Sequence, residues 1–171
     1  LSYASAGTGT ATHLGAALLL QRAGVTLLHV PYKGNGPAMP DVMDGRVDMI
    51  LEAYGSSKGY LAARKLKALG VTSAKRLAAM PDVPTLIEQG VAGYEYYTWL
   101  CFLAPAGTPK EAIDRLASAL HAAKAAKDVQ ERFAEVGMDA MDMSPAEFES
   151  FMAGEIAQVG KLIADLGLTK Q

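Results

Sequence analysis

The chain has one cysteine, one tryptophan and three histidines among 171 residues. A lone Cys101 cannot close an internal disulfide, and it removes Cys-rich zinc sites. His13, His29 and His121 are scattered without metal-ligand spacing and without neighbouring Cys or paired carboxylates, so no metal is expected. No stretch approaches 18 uninterrupted apolar residues, which excludes a spanning helix by this signal. Charge of one sign is missing too: the formal net charge is −2, and the footprint of a nucleic-acid binder is absent. Aromatics are 7%, so the 50% apolar content is mostly aliphatic, which favours helices packed on a sheet over an all-β sandwich. There is no Gly-x-Ser-x-Gly, no acid–base pair and no Walker or dinucleotide glycine pattern, so no catalytic residue and no cofactor is nominated.

What is present is a rhythm of short apolar runs, glycine turns and helical stripes. Leu1–Ser5 reads as a strand, and Leu14, Leu18 and Leu19 give Ala11–Arg22 helical spacing stopped by Gly24. Val25–Val30 reads as a buried strand. Gly34-Asn35-Gly36-Pro37 then opens a short helix with Pro37 at its first position, and Val47–Leu51 reads as another strand. Gly55–Arg64 reads as a helix, Leu66–Thr72 as a strand, Thr85–Gln89 as a helical turn, and Tyr94–Ala104 as a stretch of strand formers. Helices follow from Thr108 (cap) and Pro109 (first position) to about Ala126, over Asp128–Val136, and from the capping box at Ser144 to about Leu166. Met138–Met141 reads as a brief strand. The alternation predicts an α/β fold with a largely parallel sheet. The composition shifts near Trp99–Pro105, where the chain is expected to cross between lobes.

The strongest chemical signal is Ser5-Ala6-Gly7-Thr8-Gly9-Thr10-Ala11-Thr12-His13. Strand, loop of small residues and helix start together bring unpaired backbone N–H groups and the positive end of a helix dipole to a surface an anion can approach. The hydroxyls of Ser5, Thr8, Thr10 and Thr12 add donors, and His13 stands in the first turn. The competing reading is a tight turn at Gly7 and Gly9 with Thr10 capping the helix and His13 hydrogen-bonded structurally. Tyr32-Lys33-Gly34-Asn35-Gly36-Pro37 repeats the pattern, with Lys33 either facing an acidic ligand or solvated. Glu52 follows a strand, where ligands of open α/β sheets lie; it would take an ammonium or hydroxyl, or pair with a cation of its own lobe. His29 inside its apolar strand is expected to be buried and neutral, and His121 exposed.

Several runs in series carry a family resemblance: Leu1–Thr10 with His13-Leu14, His29-Val30-Pro31-Tyr32-Lys33-Gly34-Asn35-Gly36-Pro37-Ala38, Gly45-Arg46-Val47-Asp48, Leu66–Arg76, Met80–Thr85 and Leu103–Pro109. In this order they resemble the receptors of tripartite tricarboxylate transporters, the TctC or Bug family. The resemblance implies a periplasmic-binding-protein-like (type II) bilobal fold and a periplasmic receptor that takes a small carboxylate or dicarboxylate to membrane transporter subunits. It also implies a site shared by helix N-termini of both lobes and ordered waters. Ser5, Gly7, Thr8, Gly9, Thr10, Thr12, His13, Tyr32, Lys33 and Glu52 are the ligand-binding candidates. Members of the family are longer. The resemblance therefore places a second lobe, lacking its first helix, at 1–98 and the C-terminal part of the first lobe at 99–171. We expect a fragment that keeps a missing N-terminal segment, or forms a homo-oligomer such as a swapped dimer, to cover Phe148, Phe151, Ile156 and Val159. An effector-sensing module of a regulator and an enzyme using the same anion pocket are the rival functions.

Overall fold

Ser2–Ser5 (β1) is made of Ser, Tyr, Ala and Ser, and its last three residues are buried. The computed structural model, which describes residues 1–168, explains why. β1 is the middle strand of a three-stranded parallel sheet, between Leu28–Pro31 (β2) and Met49–Ile50 (β3). Tyr3 pairs with His29 on one side and Met49 on the other, and Ala4 with Val30 and Ile50. A parallel strand flanked on both edges and covered by helices has no solvent face. Small Ala4 lets Ala38 and Val47 close on it, ringed by Val30, Tyr32, Val42 and Ile50.

Ala11–Ala23 (α1) and Asn35–Met43 (α2) follow β1 and β2 and pack on the sheet. α1 ends on Gly24, whose φ of 65° gives the left-handed turn that returns its N–H to Gln21 O. Tyr54–Ala62 (α3) follows β3. Past residue 66 the chain wanders until Tyr94, which is fully buried and donates its hydroxyl to Gly15 O at 3.0 Å. Gly15 is glycine for a steric reason: a Cβ there would lie 2.6 Å from both the Tyr96 ring and Leu51. Lys110–Ala125 (α4), Lys127–Val136 (α5) and Pro145–Asp165 (α6) complete the chain. α5 leans on α3 through Val136 against Gly55 and through the Lys58 ammonium on Glu135 O. Trp99 meets Phe148 and Phe151 of α6 edge-on and donates its indole N–H to Glu155 at 2.8 Å.

The α/β class, the parallel sheet and all six helices agree with the sequence reading, as does the Ser144–Glu147 capping box. Several expectations are corrected. The buried strand at Val25–Val30 is a four-residue edge strand starting at Leu28, itself 70% exposed, because β1 is its only neighbour among the described residues. Val47–Leu51 contracts to Met49–Ile50. Leu66–Thr72 forms only a single parallel bridge, Val71 to Thr85. Met138–Met141 and Tyr94–Ala104 form no strand. Strand formers need a partner: beyond Tyr96 N–H on Thr72 O, the backbone of 97–104 finds no backbone partner among the described residues. Pro109, not Thr108, is the residue before α4, since Thr108 turns its hydroxyl back to Pro105 O. Pro37 stands third in α2, after Asn35 and Gly36. Of the apolar stripe expected to be bare, Ile156 is exposed. Phe148, Phe151 and Val159 are half-buried, and the barest large apolar residues described after residue 98 are Leu100, Phe102 and Leu103. The last three positions of the 99–171 segment lie outside the described residues.

Packing at Gly15 gives a direct test. Gly15→Ala drives a methyl into Tyr96 and Leu51 and should cost ~1–3 kcal/mol in urea unfolding. Gly59→Ala, in open space on α3, should instead stabilise by about 0.5–1 kcal/mol. Equal effects at the two positions would refute the packing assigned to Gly15.

Candidate functional site

Because the three strands are parallel, their carboxyl ends share one edge, and the loops after them meet there. Two of these loops are laced together: Tyr32 N–H donates to Ser5 O and Gly34 N–H to Ala6 O, both at 3.0 Å. Gly7, at φ 133°, passes so close that a Cβ would sit 3.3 Å from Tyr32 O. The third loop is tied in by Asn35, whose amide donates to Leu51 O at 3.3 Å and stands 3.5 Å from the Thr12 hydroxyl. The starts of α1 and α2 are therefore neighbours.

Within the first loop the hydroxyls of Ser5, Thr10 and Thr12 face inward. Thr10 donates to Gly7 O at 2.7 Å, Thr12 accepts from Ala6 N–H at 2.9 Å, and fully buried Ser5 accepts from Gly7 N–H at 3.1 Å. Thr10 occupies the cap position, yet its hydroxyl caps nothing, and Gly34 has no side chain to cap α2. Backbone N–H groups of Thr8, Ala11 and Thr12, and of Asn35 and Gly36 in the second loop, find no acceptor among the described residues. Neither helix has an acidic residue in its first turn. The edge is a paired array of amide donors at the positive ends of two helices, the arrangement that takes a carboxylate or phosphate oxygen. Each charge-assisted bond formed there would contribute about 1.5–3 kcal/mol.

The remaining candidates divide. Thr8 and Gly9 are exposed at the rim. Lys33 is exposed beside Gly34 and has no ion-pair partner among the described residues. Glu52 is half-buried, accepts from Ala53 N–H at 2.9 Å, and pairs with no cation there. Tyr32 directs its hydroxyl away from the loops to Asp41 at 2.7 Å. That bond raises the Tyr32 pKa, and bonds from Tyr32 and Arg46 lower that of Asp41. His13 is buried and accepts Gly9 N–H on Nδ1 at 3.0 Å. Its ring stacks on His29 at 4.0 Å, and His29 on Tyr3 at 4.9 Å. His29 Nε2 lies 2.7 Å from Ser5 Oγ. Burial lowers the pKa of both imidazoles, and for His29 the neighbouring His13 adds to this. Sequence reasoning missed Asn35 as the tie between loops and the Ser5–His29 bond. A Gly-Asn-Gly turn was the visible signal for the first; pairing across β1 and β2 made the second.

The sequence model of the tripartite tricarboxylate transporter family receptor matches residues 1–168. The chain belongs to this receptor family. A relative from Pseudomonas sp. strain P51, named for the tcbD-tcbE intergenic region, is 41% identical over 98% of this chain but only 50% of its own length. A Pseudomonas knackmussii relative from a clcB-clcD intergenic region is 34% identical and is covered over 94% of its length. The chain thus spans about half of the first relative and nearly all of the second. Among solved structures, R. palustris Rpa4515 with adipate aligns at a TM-score of 0.89 and 32% identity, over 98% of this chain and 56% of that one. The fold is that of the family's periplasmic binding proteins.

The stacked imidazoles set a pH dependence. Their folded pKa values lie below the ordinary 6.5, so between those values and 6.5 the unfolded chain binds more protons. Their contribution is complete above about pH 6.5 and is lost as pH falls below it. The urea midpoint should drop between pH 7.5 and pH 5.5, and the drop should shrink in His29→Asn. A midpoint that is flat or rises on acidification would contradict neutral, desolvated rings.

Proposed function

We propose that this chain is the ligand-binding part of a periplasmic receptor that captures a small carboxylate or dicarboxylate and hands it to the membrane subunits of a tripartite transporter. One observation carries the reading: two adjacent helix starts, both without a side-chain cap or a first-turn acid, whose amide donors are unpaired among the described residues. The adipate of the R. palustris neighbour supports a dicarboxylate. In this reading Thr8 presents a backbone donor at the rim, Gly9 lets the ligand approach the backbone, and Ser5, Gly7, Thr10 and Thr12 hold the loop that aims the donors. Lys33 attracts the second carboxylate, Tyr32 braces the second loop, and Glu52 receives a hydroxyl, an ammonium or a bridging water. Binding closes a cleft between a lobe at 1–98 and one to which 99–171 contributes; no bond is made or broken.

The lobe to which 99–171 contributes needs more chain than these residues supply. Leu100, Phe102 and Leu103 are 85, 82 and 76% exposed, and burying each such side chain is worth ~1.5–3 kcal/mol. Support for a missing N-terminal segment comes from the roughly twofold length of the Pseudomonas sp. P51 relative. Without that segment, the same surface is expected to be covered by a second copy.

Two measurements test the proposal. Thr10→Asp sets a negative charge among the amide donors and should weaken adipate binding in titration calorimetry by about tenfold or more; unchanged affinity would remove this loop from the site. Light scattering of the isolated chain should give a dimer. A stable monomer of 18.0 kDa would contradict the need for a cover.

A further inference from the structure

Among the loop candidates Ser5 and His13 are buried away from the rim, and the geometry of His13 gives it a different task. The ring lies between α1 and the sheet, 5° from parallel with His29 and 4.0 Å from it. Its Nδ1 accepts Gly9 N–H at 3.0 Å, which requires the lone pair on Nδ1 and the proton on Nε2. Ser5 does the matching work two residues earlier. Its hydroxyl accepts from Gly7 N–H and lies 3.2 Å from Gly7 O and 2.7 Å from His29 Nε2, which ties it to the second imidazole. The imidazole pair therefore clamps the loop at both ends, through Ser5 to Gly7 and directly to Gly9. Both glycines have positive φ, 133° and 77°, and neither has a side chain to limit its wandering. Between them stands Thr8, whose N–H has no acceptor among the described residues.

We infer that His13 is a positioning residue: by holding Gly9 N–H on Nδ1 it fixes the direction of the Thr8 and helix-start donors, and it does not touch the ligand. This inference rests on the carboxylate reading above for its effect on affinity, but not for the clamp itself.

Two substitutions separate the acceptor from the packing. His13→Asn removes the ring and keeps an amide oxygen near the Nδ1 position. His13→Phe keeps the ring and its stacking on His29 and has no acceptor. Amide exchange at Gly9, followed by NMR on the 171-residue chain, should stay slow in the Asn variant and quicken roughly three- to tenfold in the Phe variant. Adipate affinity should follow the same order, near wild type for Asn and weakened roughly three- to tenfold for Phe. Equal Gly9 exchange in wild type and His13→Phe overturns the clamp. If the exchange pattern holds while adipate gives no heat with wild type, the clamp stands and the carboxylate reading fails. Where His13→Phe does not fold, the imidazole nitrogen shifts of the wild type decide. An Nε2–H tautomer at His13 supports the clamp, and an Nδ1–H tautomer overturns it.

Discussion

The structure depends on a strand of four residues having a neighbour on each side. With β2 and β3 both parallel to β1, the strand ends and helix starts of three successive units face the same way. Everything at the candidate site follows from that alignment. Ser5 and Ala6 carbonyls reach the second loop, Asn35 reaches the third, and two helix dipoles point at one place. The small residues of β1, α1 and α2 are the condition for this closeness. Ala4, Ala16 and Ala38 are fully buried, and Gly15 makes room for Tyr96.

A loop of glycines and threonines needs something rigid behind it, and here that is aromatic. Tyr3, His29 and His13 form a stack running under the loop, with Ser5 between it and Gly7. Desolvation lowers the pKa of both imidazoles and so disfavours a cation in the stack near the amide donors. The positive character of the edge comes from backbone dipoles and from Lys33. Preorganised backbone donors already point at their target, so little is lost in orienting them when an anion arrives.

Local features were legible in the sequence and pairing was not. Helices showed through their 3.6-residue stripes, and Gly24, Gly137 and Ser144 mark real helix ends. The glycine-threonine loop stands where its residue types placed it. Misreadings gather where the outcome depends on distant chain. Tyr94–Ala104 is rich in strand formers, yet its backbone from residue 97 meets no neighbouring strand among the described residues. Leu66–Thr72 has one bridge to Thr85 and Tyr96 N–H on Thr72 O, too little to extend a strand. The role of Thr10 was ambiguous because cap and loop-holder need the same hydroxyl; only its direction, toward Gly7 O, separates them. His29, expected to be buried and neutral, is half-buried with its pKa lowered by desolvation, and its stacking on His13 requires knowing that β2 lies beside β1.

The central claim is that a carboxylate binds at the shared start of α1 and α2. An amide-resolved NMR titration of the labelled chain with adipate tests it most directly. The account predicts that shifts concentrate at Thr8–His13 and Lys33–Gly36, with a weaker response at Glu52. Saturable shifts elsewhere, for example in the groove between Ser73–Ala79 and α5, with the two helix starts unmoved, would contradict it.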